Sequence, residues 1–251
     1  HPEYFRWFDL PFWRVMLYAA AHVSRLLLAS SSETRADLLR FYRLPESKVR
    51  LVPLGVDPRF FAIAAARRER KPKPYILCAS TLHPHKNLVP LIRAYAELRK
   101  ARPELGLVIT GVRGFHTVPV ENAVRELHLE NAVKLTGWVP REELYDLFRD
   151  AFAFVYPSLF EGFGLPVLEA LAAGIPSACS SIEPLSSMAG SAAVQFDPGD
   201  PAALLEALTR LVSDELLRER LAAEGPRRAA EFSWRKTAEL TLAALCEASG
   251  R

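Results

Sequence analysis

Short apolar runs alternate with amphipathic helical patterns along most of this chain, and that alternation is the strongest constraint on its fold. Val49-Arg-Leu-Val-Pro53, Tyr75-Ile-Leu-Cys-Ala79, Leu107-Val-Ile-Thr110, Val133-Lys-Leu-Thr136 and Ala153-Phe-Val-Tyr156 each have the length and apolar content of a buried strand. Residues 177–179 and 193–196 are two shorter candidates. Helical periodicity occupies 88–99, 118–127, 142–148, 165–173, 201–211 and 214–224, between or beyond these runs. Strands separated by helices can pair side by side only in parallel, so the pattern predicts an α/β fold with a Rossmann-like, doubly wound parallel sheet. The charged, two-proline run Arg67-Arg-Glu-Arg-Lys-Pro-Lys-Pro74 interrupts the pattern and predicts a linker at 67–74. Near the end, Ser233 precedes a further helical stretch to Ala248 and is a candidate N-cap.

Two segments carry residues suited to chemistry. In Pro157-Ser-Leu-Phe-Glu161-Gly-Phe-Gly-Leu-Pro-Val-Leu-Glu169, a strand end turns through glycines into a helix. Gly162 and Gly164 allow a ligand close to the backbone, and free N–H groups near Leu165 offer a phosphate the positive end of a helix dipole. Pro166 suits the first helical turn, where no N–H is needed. Glu161 and Glu169 flank this helix start, four residues before and four after Leu165. Paired carboxylates also serve glycosidases, flanking the bond they break. A helix start between them instead favours an anionic leaving group, with one carboxylate for sugar hydroxyls and one for ribose.

The second segment, Ala79-Ser-Thr-Leu-His-Pro-His-Lys86-Asn-Leu, again joins a strand end to a helix, at the sheet edge where parallel folds bind ligands. A lysine at a helix start opposes the dipole, so Lys86 calls for an anion, and Ser80 can donate a hydroxyl to the same diphosphate. His83 and His85 are closely spaced, but no third metal ligand is evident nearby.

Composition narrows the partners. The chain has 251 residues, 50% hydrophobic and 24% charged, with a net charge of +3, which predicts globular structure and supplies no basic block for gripping nucleic acid. Cys78, Cys179 and Cys246 are odd in number and far apart, so neither a disulfide framework nor a zinc site is expected, and a reducing cytoplasm fits best. Residues 7–29 are rich in aromatics, but Asp9, Arg14, His22 and Arg25 break them well short of a spanning helix. A helix packed on a core is the plain expectation. A membrane-surface helix, with Trp7, Phe8, Phe12 and Trp13 among headgroups, is the alternative, and self-association through the same apolar face is left open.

Together these residues resemble the retaining family 4 glycosyltransferases of the GT-B fold. Glu161 to Glu169 matches their Glu-x7-Glu motif, and the resemblance extends to Val-Pro-x-Gly-Val-Asp at 52–57, Lys86-Asn87, Gly137-Trp-Val-Pro140 and Phe232-Ser-Trp234. It implies that Glu161 meets the donor sugar and Glu169 the nucleotide ribose, while Ser80 and Lys86 hold the diphosphate. By the same resemblance, Gly162, Phe163, Gly164 and Leu165 lie against sugar and phosphate, and Gly137 to Val139 border the base. No metal or other cofactor is implied, and the sequence has no Asp-x-Asp pair. The implied layout is a remnant of the acceptor-side domain at 1–66, a linker at 67–74, the nucleotide-sugar domain at 75–230 and a closing helix at 231–251. The chain begins with His1 and reads as a piece of a longer protein whose acceptor-side front is missing.

The expected reaction moves a sugar from a nucleoside diphosphate sugar to a glycan or lipid-linked acceptor hydroxyl with retention, in the cytoplasm or at the inner membrane face. Thr81-Leu82 and Lys86-Asn87 resemble mannosyltransferases, which makes GDP-mannose the preferred donor. Two alternatives stay open: a nucleotide-sugar epimerase of the same fold, and a non-catalytic donor-binding module needing a partner chain. His85 stands where many relatives carry arginine, Leu54 where they often have asparagine, and Ser186-Ser187 where they have Pro-Glu. His22, His116 and His128 are expected in ordinary surface or packing roles. Arg113, beside glycines at a strand end, is open between donor contact and an exposed turn.

Overall fold

The computed structural model describes residues 10–250. In chain order its elements are α1 (Leu10–Val23), β1 (Leu27–Ala29), α2 (Ser32–Tyr42), β2 (Val49–Leu51), α3 (Pro58–Arg67), β3 (Lys73–Ala79), α4 (Leu88–Ala101), β4 (Gly106–Thr110), α5 (Thr117–Glu126) and β5 (Val133–Gly137). The order continues with α6 (Arg141–Asp150), β6 (Ala151–Tyr156), α7 (Leu165–Ala172), β7 (Ser177–Ser180), α8 (Leu185–Ala189), β8 (Val194–Phe196), α9 (Pro201–Ser213), α10 (Glu215–Ala229) and α11 (Trp234–Ser249). Every expected strand is present. The chain divides into two compact units after Gly55 and again after Glu231.

The larger unit, residues 56–231, holds a six-stranded parallel sheet in the order β5-β4-β3-β6-β7-β8. Its central strands are apolar on both faces because helices cover both, and Ile76, Leu77, Ile109, Phe154 and Val155 are fully buried. Two of the later helices begin with a local signal in the sequence. Asp200 caps α9 by accepting from Ala202 N–H with Pro201 at the first position, and Asp214 caps α10 through Leu217 N–H. Gly174, at φ +62°, ends α7, with its N–H on Leu171 O and that of Ile175 on Ala170 O. The strand order reverses between β3 and β6, so the loops leaving those two neighbours diverge at their carboxyl ends.

The smaller unit comprises residues 10–55 and 232–250. Here β1 and β2 pair in parallel, and α2, capped by Ser31, makes the crossover over a small core of Ala21, Ala29, Leu44 and Val49. Ser233 caps α11 by accepting from Lys236 N–H, as expected. Thr237 Oγ1 donates to Pro53 O at 2.7 Å, and a Cβ on Gly55 would lie 2.1 Å from Trp234 N, so only glycine permits this approach. The Val-Pro-x-Gly and Phe-Ser-Trp motifs are thus two sides of one backbone contact.

The expected boundary at 67–74 is corrected by this division. Residues 58–67 form α3, whose Phe60 ring meets Tyr145 and Phe148 edge-on at 5.1 and 5.0 Å. Arg67 donates to the carbonyl oxygens of Phe148, Arg149 and Ala151. Both contacts bind α3 into the larger unit, whereas α11 belongs with the smaller one rather than closing the nucleotide domain. Phe12 and Trp13 lie on α1 with half or more of their surface exposed, while Trp7 and Phe8 fall outside the described residues. Among the described residues, no helix is long and apolar enough to cross a membrane.

Candidate functional site

Both chemistry-bearing loops emerge at the sheet's switch point. The loop after β3 runs through Ser80 to a single 3₁₀ turn at Pro84–Lys86, then Asn87 takes a left-handed conformation at φ +55° and starts α4. Asn87 is held there by its Nδ2–H bond to Pro198 O at 3.0 Å. The loop after β6 is tied to this turn: Leu159 N–H and Ser158 Oγ both donate to His85 O, at 2.7 and 3.1 Å. Neighbouring glycines let the loop after β4 come equally close, since a Cβ on Gly111 would lie 2.2 Å from Ser80 O and one on Gly114 2.6 Å from Leu82 O.

This framework brings Lys86 and Glu161 together. Lys86 Nζ lies 2.5 Å from Glu161 Oε1 and 2.9 Å from the Tyr156 hydroxyl, with the two charged side chains only 12% and 11% exposed. Tyr156 was not expected: it ends β6 in a run that reads as an apolar strand, and nothing in its local sequence marks it. Burial, joined by the Glu161 charge, keeps its phenol protonated well above the usual range. The triad places one cation, one carboxylate and one neutral hydroxyl at the carboxyl end of β6. Such a buried pair gains little net stability from its own attraction, so its value lies in what it can hold.

The remaining expected residues are placed as follows. Ser80 is buried and its hydroxyl donates to Thr81 O at 3.2 Å. Gly164, at φ +100°, precedes α7 with no side-chain cap, and a Cβ there would strike Leu185 Cδ2 at 2.2 Å. Leu165 therefore opens a helix whose first turn is left for other partners. Phe163 is buried and Gly162 exposed. Gly137 has φ +70° but open space around its Cβ position, so conformation rather than room selects it; Val139 is half-buried beside Trp138, which is 72% exposed.

Glu169 lies on α7, one turn beyond Leu165, and is half-buried. Among the described residues its carboxylate accepts no hydrogen bond. Burial pushes its pKa up to about 7, against the pull of Arg141 and with a further push from Asp57. Asp57 itself is raised by burial but brought down to about 2 by hydrogen bonds from the Tyr145 hydroxyl, Arg59 N–H and Arg141. Arg59 is taken up by Glu142 through two contacts of 2.7 and 2.6 Å. Arg141 and Tyr145, one turn apart on α6, were not singled out from the sequence, and Asp57 entered only as the end of the 52–57 motif, because α6 lies 84 residues further along the chain.

Other titratable residues are accounted for locally. Arg113 pairs with Glu121, and His22 Nδ1 bonds Tyr18 O at 2.9 Å. His83 and His85 stack at 5.9 Å, and burial with the Lys86 charge holds both below the ordinary imidazole value. Among the described residues, no three His, Cys, Asp or Glu side chains are grouped to hold a metal. Cys78 and Cys179 are buried with thiols pushed up to about 12, which leaves them unreactive. A cleft of about 670 Å³ opens at the opposite, amino-terminal strand ends, where three of its arginines serve the fold: Arg67 and Arg218 hold backbone carbonyls, and Arg149 pairs with Asp146 and Asp150.

Solved structures share this doubly wound α/β architecture. UDP- and glucose-bound Alr3699/HepE from Anabaena superposes with a TM-score of 0.81 at 19% identity, covering 98% of this chain and 68% of that one. Sucrose-phosphate synthase from Thermosynechococcus elongatus gives 0.77 at 24%, over 93% and 60%. These neighbours have the GT-B glycosyltransferase fold. Residues 60–228 match the family of glycosyl transferases group 1, and the chain belongs to that family. It is 29% identical to O-antigen chain mannosyltransferase B of Escherichia coli over 96% of its length, and 33% identical to the MMP alpha-(1->4)-mannosyltransferase of Mycolicibacterium hassiacum over 90%. The matches cover 65% and 54% of those two proteins, so the chain spans less than two thirds of either.

Proposed function

We propose that this chain forms the donor side of a retaining, metal-independent glycosyltransferase that takes the sugar of GDP-mannose to a glycan or lipid-linked acceptor hydroxyl. The observation that carries the reading is the buried Lys86–Glu161–Tyr156 triad beside the uncapped start of α7. A nucleoside diphosphate sugar needs its leaving diphosphate stabilised as the anomeric bond breaks. Lys86, the Ser80 hydroxyl and the N–H groups at Leu165 supply preorganised positive potential for that charge, which takes the place of a metal ion. Glu161 turns to the sugar hydroxyls when Lys86 turns to phosphate. Glu169, half-buried on α7, receives the ribose hydroxyls, while Gly137 and Val139 border the base. The names of the mannosyltransferase relatives support the choice of sugar.

The test supplies GDP-mannose with a mannose-terminated acceptor to the full-length protein and reads the product by NMR. An α-linked product, with turnover reduced about 100-fold or more by Lys86→Ala, is the expected result. Unchanged turnover in that variant removes the assignment of Lys86. A new sugar epimer formed without acceptor replaces transfer by epimerisation, and donor binding that turns over only with a second polypeptide favours the partner-dependent module. Vesicle flotation decides whether the exposed Phe12, Trp13 and Met16 of α1 lie on a membrane.

A further inference from the structure

We infer that the cleft of about 670 Å³ at the amino-terminal strand ends binds a small molecule carrying a phosphate monoester, gripped by Arg68, Arg70 and Lys71. The inference is independent of the donor assignment. The cleft meets β6 at Phe152 and the turn after α7 at Gly174 and Pro176, whereas Tyr156 ends β6 and Leu165 begins α7. These two elements therefore carry the cleft at one end and the proposed donor site at the other.

Charge selects the class of ligand. Six cations line the cleft against three carboxylates. Of the carboxylates, Asp150 is already held by Arg149 and Lys73, and Glu215 and Glu219 stand on α10. Of the cations, Arg149 is taken up by Asp146 and Asp150. Arg68, Arg70 and Lys71 are exposed, and among the described residues none of them joins an ion pair. Glu69, in the same run, does not line the cleft. The dipole of α3 favours a cation in its last turn and accounts for Arg67 and Arg68, but that attraction fades beyond the helix end and does not explain Arg70 and Lys71.

Deeper in the cleft the fold leaves two more charges without a counter-ion. Arg67 donates through Nη1 to the carbonyl oxygens of Phe148, Arg149 and Ala151, and Arg218 through Nη1 to those of Leu211 and Val212. Carbonyl oxygens carry only partial charge, so neither guanidinium is neutralised, and among the described residues neither pairs with a carboxylate. Both are half-buried. Burial lowers the Arg67 pKa to about 10, against upward pulls from Tyr75 and Asp150, so it is still a cation at neutral pH. Positive charge of this kind in a concave, low-dielectric wall focuses its field on an anion in the cleft.

Size and lining point to more than a bare ion. The volume falls in the range of small-molecule sites, about 300–1,000 Å³, and exceeds what one phosphate fills. Phe152, with the Arg218 guanidinium 4.9 Å from its ring centroid, together with Pro176, Ala222 and Ala223, supplies apolar surface for the rest of the ligand. A phosphate monoester brings nearly two negative charges at neutral pH and three acceptor oxygens, matching several arginine N–H donors at once.

The test titrates the chain with phenyl phosphate and with inorganic phosphate by calorimetry, and locates each by amide NMR shifts. Wild type is compared with the triple variant Arg68→Ala, Arg70→Ala, Lys71→Ala and with Ala223→Trp, which fills the cleft without changing its charge; circular dichroism checks each fold. The expected result is that phenyl phosphate binds more tightly than inorganic phosphate and shifts amides at 67–72 and 215–223. Its binding weakens about tenfold for each charge-assisted bond removed in the triple variant and is lost in Ala223→Trp.

Affinity unchanged in the triple variant, or shifts confined to 80–87 and 161–169, overturns the inference. Loss in the triple variant with full retention in Ala223→Trp reduces the effect to diffuse surface attraction and overturns it as well. Failure of both soluble phosphates to bind does the same, and if phosphatidylglycerol vesicles then capture wild type but not the triple variant, these cations face a membrane instead.

Discussion

Glu169 carries a cost that folding alone gives no reason to keep. Its pKa is raised from the ordinary 4.5 to about 7, so the stability linked to its proton is complete below about pH 4.5 and declines as pH rises through 7. Glu169→Gln removes that decline. We expect the variant to be more stable than wild type by up to about 3 kcal/mol at pH 8 and by almost nothing at pH 4, measured by urea unfolding at both. Asp57 behaves in the opposite sense. Depressed to about 2, it contributes stability above its ordinary value that is lost as pH falls through 2. Lys86 and Glu161 form a third case, because removing one member of a buried pair strands the other. Lys86→Met should destabilise by roughly 3–5 kcal/mol, and adding Glu161→Gln should recover most of that loss; equal losses in the single and double variants would show that the pair is not coupled. The sequence displayed Lys86, Glu161 and Glu169 because each lies in a compact motif at a strand-to-helix junction. It hid Tyr156 and the pairing of Asp57 with Arg141, since a hydroxyl ending an apolar strand and charges 84 residues apart meet only once the chain is folded.

At the scale of elements, the loops at the switch point depend on backbone approach more than on side-chain packing. Gly111→Ala would place a Cβ 2.2 Å from Ser80 O at φ +148°, so the loop after β4 must move off the loop after β3. Gly137→Ala adopts φ +70° with open space around it. The first should cost about 1–3 kcal/mol and weaken nucleotide binding, the second about 1 kcal/mol; equal costs in urea unfolding would contradict the close approach. The long, buried strands and the helices of the larger unit were legible from periodicity, because both faces of the sheet are covered and few polar positions interrupt the runs. The short β1, of three residues, and α2, with no fully buried residue, leave too little apolar pattern to read. The division near Gly55 escaped for a different reason. The charged run at 67–74 looks like a linker by composition, but Phe60 and Arg67 anchor α3 to α6 just before it.

For the whole molecule, the proposed site falls within one of the two units. Residues 56–231 contain every residue assigned to the nucleotide sugar, while α11 joins the residues before Gly55. The proposed donor site therefore lies within one unit, and nucleotide binding should be a property of that unit's own stability. The most direct measurement is the melting temperature of the chain with GDP, GDP-mannose, UDP and ADP, repeated for Lys86→Met and Glu169→Gln. A nucleotide bound only by the folded state stabilises it by about 2.7 kcal/mol at a hundred times its dissociation constant. The account predicts such a rise with GDP and GDP-mannose in wild type and its loss in both variants, even though Glu169→Gln melts higher without ligand at pH 8. No rise with any of the four in folded wild-type protein, or a rise that survives both substitutions, would contradict it.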